Sequence, residues 1–284
     1  ISDTISNRAE QISSFSTTGY HRTGPELSKR NALTELVCGG NISISKAPSQ
    51  QLGFRIGITG IFVKYSAEVM PRKYPYNQYN FRGKHNLNFG LDYLLRYRRL
   101  YLFGEISRSM NAGMAWLAGA SITPDQAVSV TALYRDYQPA YQNLFSNAFG
   151  QNSFNAGERG IYTAINAAVH PKLSIAGYID FFTFPWLKYR VDFPTSGQET
   201  GAMLTWQAGS NTVFGLRFYQ KNTRINAASQ PDMILHKLVS HLSRSYRFNI
   251  EWTPAENLFL KTRIEVKEVR EPAAKETYGY FLCQ

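Results

Sequence analysis

Hydrophobic and polar positions alternate along most of this chain, and the longest clean example runs from Asn80 to Leu94. Phe81, Gly83, His85, Leu87, Phe89, Leu91 and Tyr93 fall on one parity. Asn80, Arg82, Lys84, Asn86, Asn88, Gly90 and Asp92 fall on the other. Period-two alternation places one set on each face of a β-strand. A run of about fourteen residues far exceeds the usual strand of about five or six. One face suits hydrocarbon and the other water, and a tilted strand of about nine to eleven residues crosses a bilayer.

The same pattern recurs. Leu36 to Ser45 alternates, then Leu52, Phe54, Ile56 and Ile58 do so against Gly53, Arg55, Gly57 and Thr59. The apolar parity switches at Gly60 and continues through Ile61, Val63 and Tyr65, which predicts a β-bulge there. Further strands are predicted at 100–108, 114–122, 128–135, 161–169, 173–181, 202–208, 214–221, 238–252, 258–267 and, in part, 277–283. Pro48, Thr123-Pro124 and Thr253-Pro254 mark turns. Connections at one end of the strands are short, whereas most at the other end, such as 138–157 and 184–198, are long. That sorting is expected of outer-membrane barrels and not of a soluble sandwich. The expectation is an all-β fold, an antiparallel transmembrane β-barrel with about 12–13 strands visible and part of a larger barrel. Residues 1–31 read as irregular loop or strand end, with one helical turn at Pro25. Residues 32–284 read as a barrel segment incomplete at both ends, since the strand count is odd and bacterial barrels favour even counts.

In that reading the inward positions carry Arg55, Arg82, Lys84, Asp92, Glu105, Arg135, Asp180, Arg217, Arg247, Glu251, Lys261, Arg263, Glu265 and Lys267. The cations between Leu258 and Lys267 form the sharpest feature. A ring of Lys and Arg selects anions in a pore, but Glu251 and Glu265 stand where they would neutralise those cations, and a salt-bridged or plugged wall is the favoured alternative. Tyr76, Tyr79, Trp186, Tyr189, Trp206 and Trp252 are candidate interfacial aromatics. The segments PRKYPYNQY and FPWLKYRVDF mix aromatics with cations and would also suit stacking of bases or sugars; the rim reading is preferred.

Composition changes this picture little. Among 284 residues, 18 are Tyr and 18 Phe, which suits aromatic girdles. Mean hydropathy is −0.32, compatible with a barrel because a polar inner face offsets the apolar one. No stretch approaches the ~20 apolar residues of a spanning helix. The net charge of +11 attracts polyanions: nucleic acid, anionic solutes in a pore, or phosphates of lipopolysaccharide. Cys38 and Cys283 make neither a disulfide framework nor a zinc site. The five histidines show no metal-ligand spacing, and no nucleophile elbow or phosphate-binding glycine loop occurs. No enzymatic activity, cofactor or metal is expected.

The segments FSTTGYHRTGPELSKRN (15–31), YNQYNFRGK (76–84), LYRDYQPAYQNLFSNAFGQNS (133–153) and FPWLKYRVDFP (184–194) resemble the barrel region of a Bacteroidetes family of helix-hairpin-helix domain-containing outer-membrane proteins. The resemblance runs through most of the chain, on loop and strand-end signatures. It implies a cell outer-membrane location, a periplasmic helix-hairpin-helix region before the barrel, and further strands after Gln284.

The expected partners are outer-membrane lipid, lipopolysaccharide and envelope proteins; nucleic acid is not expected as a partner of this stretch. The leading functional expectation is a channel for small solutes, anions among them. The alternatives are a scaffold subunit of an envelope complex with a plugged lumen, and a soluble β-rich binding module.

Overall fold

The computed structural model describes residues 10–15, 20–27, 29–47, 52–227, 235–270 and 278–283. The expected turn around Pro48, the loop at Pro272 and Thr277 at the start of the last strand lie outside the described residues, as does most of the loop before His236.

The period-two segments all form strands. In chain order they are β1 (Gln11–Ile12), β2 (Glu35–Lys46), β3 (Leu52–Val69), β4 (Gly83–Tyr97), β5 (Leu100–Ser109), β6 (Met114–Asp125) and β7 (Val128–Tyr137). Then follow β8 (Glu158–His170), β9 (Leu173–Phe184), β10 (Thr195–Gln207), β11 (Thr212–Asn226), β12 (Leu238–Ala255), β13 (Leu258–Arg270) and β14 (Tyr278–Cys283). One helical turn, α1 (Gly24–Leu27), includes Pro25 as expected.

From β2 onward, sequential strands pair antiparallel in one sheet, each with the next. The short β1 lies parallel beside Glu68–Val69 of β3, on the same edge as β2. Part of the expected irregular N-terminus is therefore sheet. Among the described residues β2 and β14 do not pair with each other.

The β9–β10 connection touches the β3–β4 connection: Trp186 Nε1 donates to the Pro75 carbonyl at 2.9 Å. The face covered by the 138–157 segment is called the inner face.

Three sequence expectations need correction. No bulge occurs at Gly60: β3 runs in unbroken register with both β2 and β4 from Phe54 to Lys64, and the irregularity falls between Lys64 and Val69. Ile61, Val63 and Tyr65 therefore point inward. Their apolar character is explained by a local core in which Val63, Tyr65, Val69 and Phe81 pack with Ile12, Leu33 and Leu144. Phe81 is accordingly buried, because β4 starts only at Gly83. Arg82 likewise precedes the strand and donates to the Pro71 carbonyl in the connection.

Candidate functional site

Register settles which side chains share a face. One inner row passes through Arg55, Leu94, Phe103, Gly119, Leu133, Tyr162, Asp180, Glu199, Lys221 and Ser243. The adjacent inner row holds Asp92, Glu105, Leu117 and Arg135. Arg217, Arg247 and Glu265 are aligned across β11–β13, and Arg263, Lys261, Glu251 and Lys267 share their face. Parity along β4 puts Lys84 there too. The inward set foreseen from alternation is thus one face of the sheet, Arg82 excepted.

At the centre of that face lies a buried ionic cluster. Arg135 is fully buried, and Glu158 and Asp180 are each 1% exposed. The Arg135 guanidinium binds Asp180 through both terminal nitrogens, at 2.8 and 2.9 Å, and its Nε donates to Glu158 at 2.6 Å. Such bidentate, charge-assisted pairs fix geometry strongly. Gly160 makes room: a Cβ at this position would stand 2.6 Å from the guanidinium carbon.

The cluster anchors the 138–157 segment. Glu158 accepts the amides of Gln151, at 2.8 and 2.9 Å, and of Asn152, at 2.8 Å. The Gln151 side chain donates to Asp180 at 2.8 Å and accepts from Lys221 Nζ at 2.5 Å. Phe149 lies against the guanidinium, 5.2 Å from its ring centroid. The near end of the segment is held differently. Asn86 and Asn88 both donate to the Gln142 carbonyl, at 2.7 and 2.9 Å, and Tyr141 donates to Ser107 at 2.9 Å. This one segment reaches from β4 to β11 and covers the inner face between them.

Two of the remaining inner-face cations pair with carboxylates. Arg247 pairs with Glu265 at 2.7 Å and Lys261 with Glu251 at 2.5 Å. Arg263 donates to Asn249. These are the pairs anticipated for a salt-bridged wall. Arg55, Lys84, Arg217, Arg263 and Lys267 have no carboxylate partner among the described residues, nor do Asp92 and Glu105 a cationic one.

Four of the candidate interfacial aromatics lie in connections between strands. Tyr79 meets Trp186 edge-on at 5.2 Å and Tyr76 meets Tyr189 at 5.7 Å. They join the β3–β4 connection to the β9–β10 connection. Beside them Asp192 accepts the His236 amide at 3.0 Å and its ring Nδ1 at 2.7 Å. These hydrogen bonds, the amide first, hold the Asp192 carboxyl below the usual carboxylate range. Burial pushes the Lys188 ammonium below its ordinary range, over the Phe184 ring.

The outer face has a different order. A hydrogen-bonded row crosses it through Ile56, Tyr93, Gly104, Ala118, Tyr134, Ile161, Phe181, Gln198, Asn222, Leu242 and Arg270. On β3 the apolar outward positions extend past this row to Phe62 before Lys64 interrupts them. On β7, β8 and β9 they end at the row, with Tyr134, Ile161 and Phe181, and then give way to Asp136, Arg159 and Thr183. On β11 and β13 they stop short of it, at Phe218 and Val266, and Gln220 and Glu268 follow. The boundary therefore slants across the strands. From Phe62 to Val266 it shifts by about ten residues along the strand, or about 34 Å, over about ten strand spacings, or about 48 Å. That slope corresponds to a tilt of about 35°. Trp206 and Trp252, both exposed, stand at the opposite edge of this band beside the short turns. Cys38 is also exposed on this face.

Comparisons of the chain with family models, curated proteins and solved structures find no match. Among the described residues no cluster of metal-ligating side chains occurs. The residues that hold the inner segment, Glu158, Gln151, Gln142 and Lys221, were not singled out by alternation. Asn86 and Asn88 were visible as polar positions, but no spacing linked them to a carbonyl across the sheet.

Proposed function

We propose that this chain forms the membrane-spanning wall of an outer-membrane β-barrel that passes small solutes through an interior narrowed by the 138–157 segment. The slanted apolar band carries the reading. A membrane cuts the strands of a barrel at their tilt, about 35–45°, so the apolar limit must step from strand to strand. A soluble sheet has no reason to move that limit steadily across its rows. The band's size agrees: on β4 it spans Tyr97 to Leu87, about 34 Å along the strand and about 27 Å along an axis tilted by 35–40°, against a barrel band of about 25 Å.

Within the interior, the unpaired Arg55, Lys84, Arg217, Arg263 and Lys267 outnumber the unpaired acids, which favours anions. A filled scaffold is the second reading, favoured by the Tyr79–Trp186 and Tyr76–Tyr189 contacts across the mouth. The likeness to the Bacteroidetes outer-membrane family is in accord with either.

Two measurements test these statements. Leu216 is outward, within the band and half exposed. Leu216→Arg should cost about 2–4 kcal/mol in a lipid-reconstituted unfolding assay. A change near zero would mean that the band faces water. In planar bilayers the protein should give a small conductance with anion preference. Complete insulation by correctly inserted protein would replace the channel with the scaffold.

A further inference from the structure

On the outer face, where the band ends between β7 and β12, the surface opens into a groove of about 630 Å³. Its floor on the band side is Tyr134, Ile161 and Phe181; its far side carries Arg159 and Arg224. The depression has a simple cause. Thr183 and Ser196, short side chains on β9 and β10, lie between the two arginines: Arg159 is aligned with Thr183 and Thr183 with Ser196. Continuing the register beyond Gln198 and Asn222 puts Arg224 beside Ser196.

The two arginines are three strand spacings apart, about 14 Å, so both extended side chains reach over the serine and threonine between them. Arg159 donates through Nε to Asp136 at 2.9 Å, which leaves its terminal nitrogens directed elsewhere; its side chain is 55% exposed. Arg224 is exposed and has no carboxylate partner among the described residues. A guanidinium presents a planar fork of donors suited to phosphate oxygens. Next to it, toward the short turns, begins hydrocarbon-compatible surface.

We infer that this groove binds the phosphorylated headgroup of an outer-leaflet lipid, with its phosphate between Arg159 and Arg224 and an acyl chain laid over Phe181 and Ile161. The inference rests on the membrane reading above. A free anion would use the arginines alone; the apolar floor beside them is what selects an amphiphile. No bond is made or broken, and the lipid is a resident ligand at the boundary of the band.

The test uses the detergent-purified protein, delipidated and titrated with bisphosphorylated lipid A, its dephosphorylated form, or inorganic phosphate, with bound lipid counted by native mass spectrometry. The expected result is saturable retention of the phosphorylated lipid. Arg224→Gln should weaken it several-fold and the R159Q/R224Q pair at least tenfold. Arg108→Gln, an exposed outward arginine on β5 outside the groove, should change little. Both groove arginines are exposed, and heat-modifiable gel migration confirms that each variant folds. Equal retention of the dephosphorylated lipid, or unchanged retention by the pair, would overturn the inference. So would displacement of the lipid by millimolar inorganic phosphate, which would mark a site for small anions. A protein that remains monodisperse without detergent would instead overturn the membrane reading itself.

Discussion

The inner wall has two parts built from the same residue types with opposite consequences. Across β7–β9 an arginine and two carboxylates are buried to the last per cent beneath a folded segment. Across β11–β13 arginines, lysines and glutamates also pair, yet Arg247 and Glu265 keep about a fifth of their side-chain surface exposed. Lys261 and Glu251 keep 44% and 36%. Charge pattern alone does not separate the two parts. What differs is the cover: the 138–157 segment removes water from the first and leaves it on the second. An ion pair in contact with water contributes about 0–1 kcal/mol. A buried one, once formed, cannot lose a partner cheaply.

The most severe break in this comparison is Arg135→Ala. It leaves Glu158 and Asp180 as buried charges without a counterion and should cost about 3–5 kcal/mol of stability. It should also free the inner segment, seen as a larger and noisier bilayer conductance. A smaller effect would mean that water already reaches the cluster. Gly160→Ala comes next: its added carbon meets the guanidinium, and the overpacking should cost about 1–3 kcal/mol. The same substitution at Gly40, which has nothing within 4 Å of the added carbon, is the matched control. Tyr141→Phe removes the hydrogen bond donated to Ser107 and the one accepted from Asn143 and should cost about 1–2 kcal/mol, with a modest rise in conductance. On the water-exposed part, Arg247→Ala should cost about 1 kcal/mol or less. A cost similar to that of Arg135→Ala would erase the distinction between the two parts.

The smallest effect concerns acid. The Asp192 carboxyl is held below its usual range by the His236 amide and ring. A depressed carboxylate contributes stability above its unfolded value of about 3.9 and loses it as pH falls through the lower folded value. The protection factor of the His236 amide against hydrogen exchange should therefore hold above about pH 4 and fall below it, and Asp192→Asn should flatten that dependence.

Alternation was sufficient for the sheet because a strand's two faces are set by local geometry, and each strand announced its own. It failed where an apolar residue served a local core instead of the outer face. Ile61, Val63 and Tyr65 are indistinguishable by composition from Leu52, Phe54 and Ile56, and only the continuous register shows that they point the other way. Tyr79 and Trp186 carry a related ambiguity: an aromatic beside cations suits a lipid interface and an inter-loop contact equally well, and only the structure shows that the two rings meet.

From the chain alone came the all-β class, the sorting of short and long connections and nearly all of the inward charges, because each depends on neighbours within a few residues. The tertiary structure decided which charges are buried, which connections meet and how the apolar boundary slants from strand to strand. Those properties depend on register between strands and on where a long connection folds back. Register and fold-back join residues far apart along the chain, such as Gln151 with Lys221 and Gln142 with Asn86, and no local periodicity encodes such a pairing.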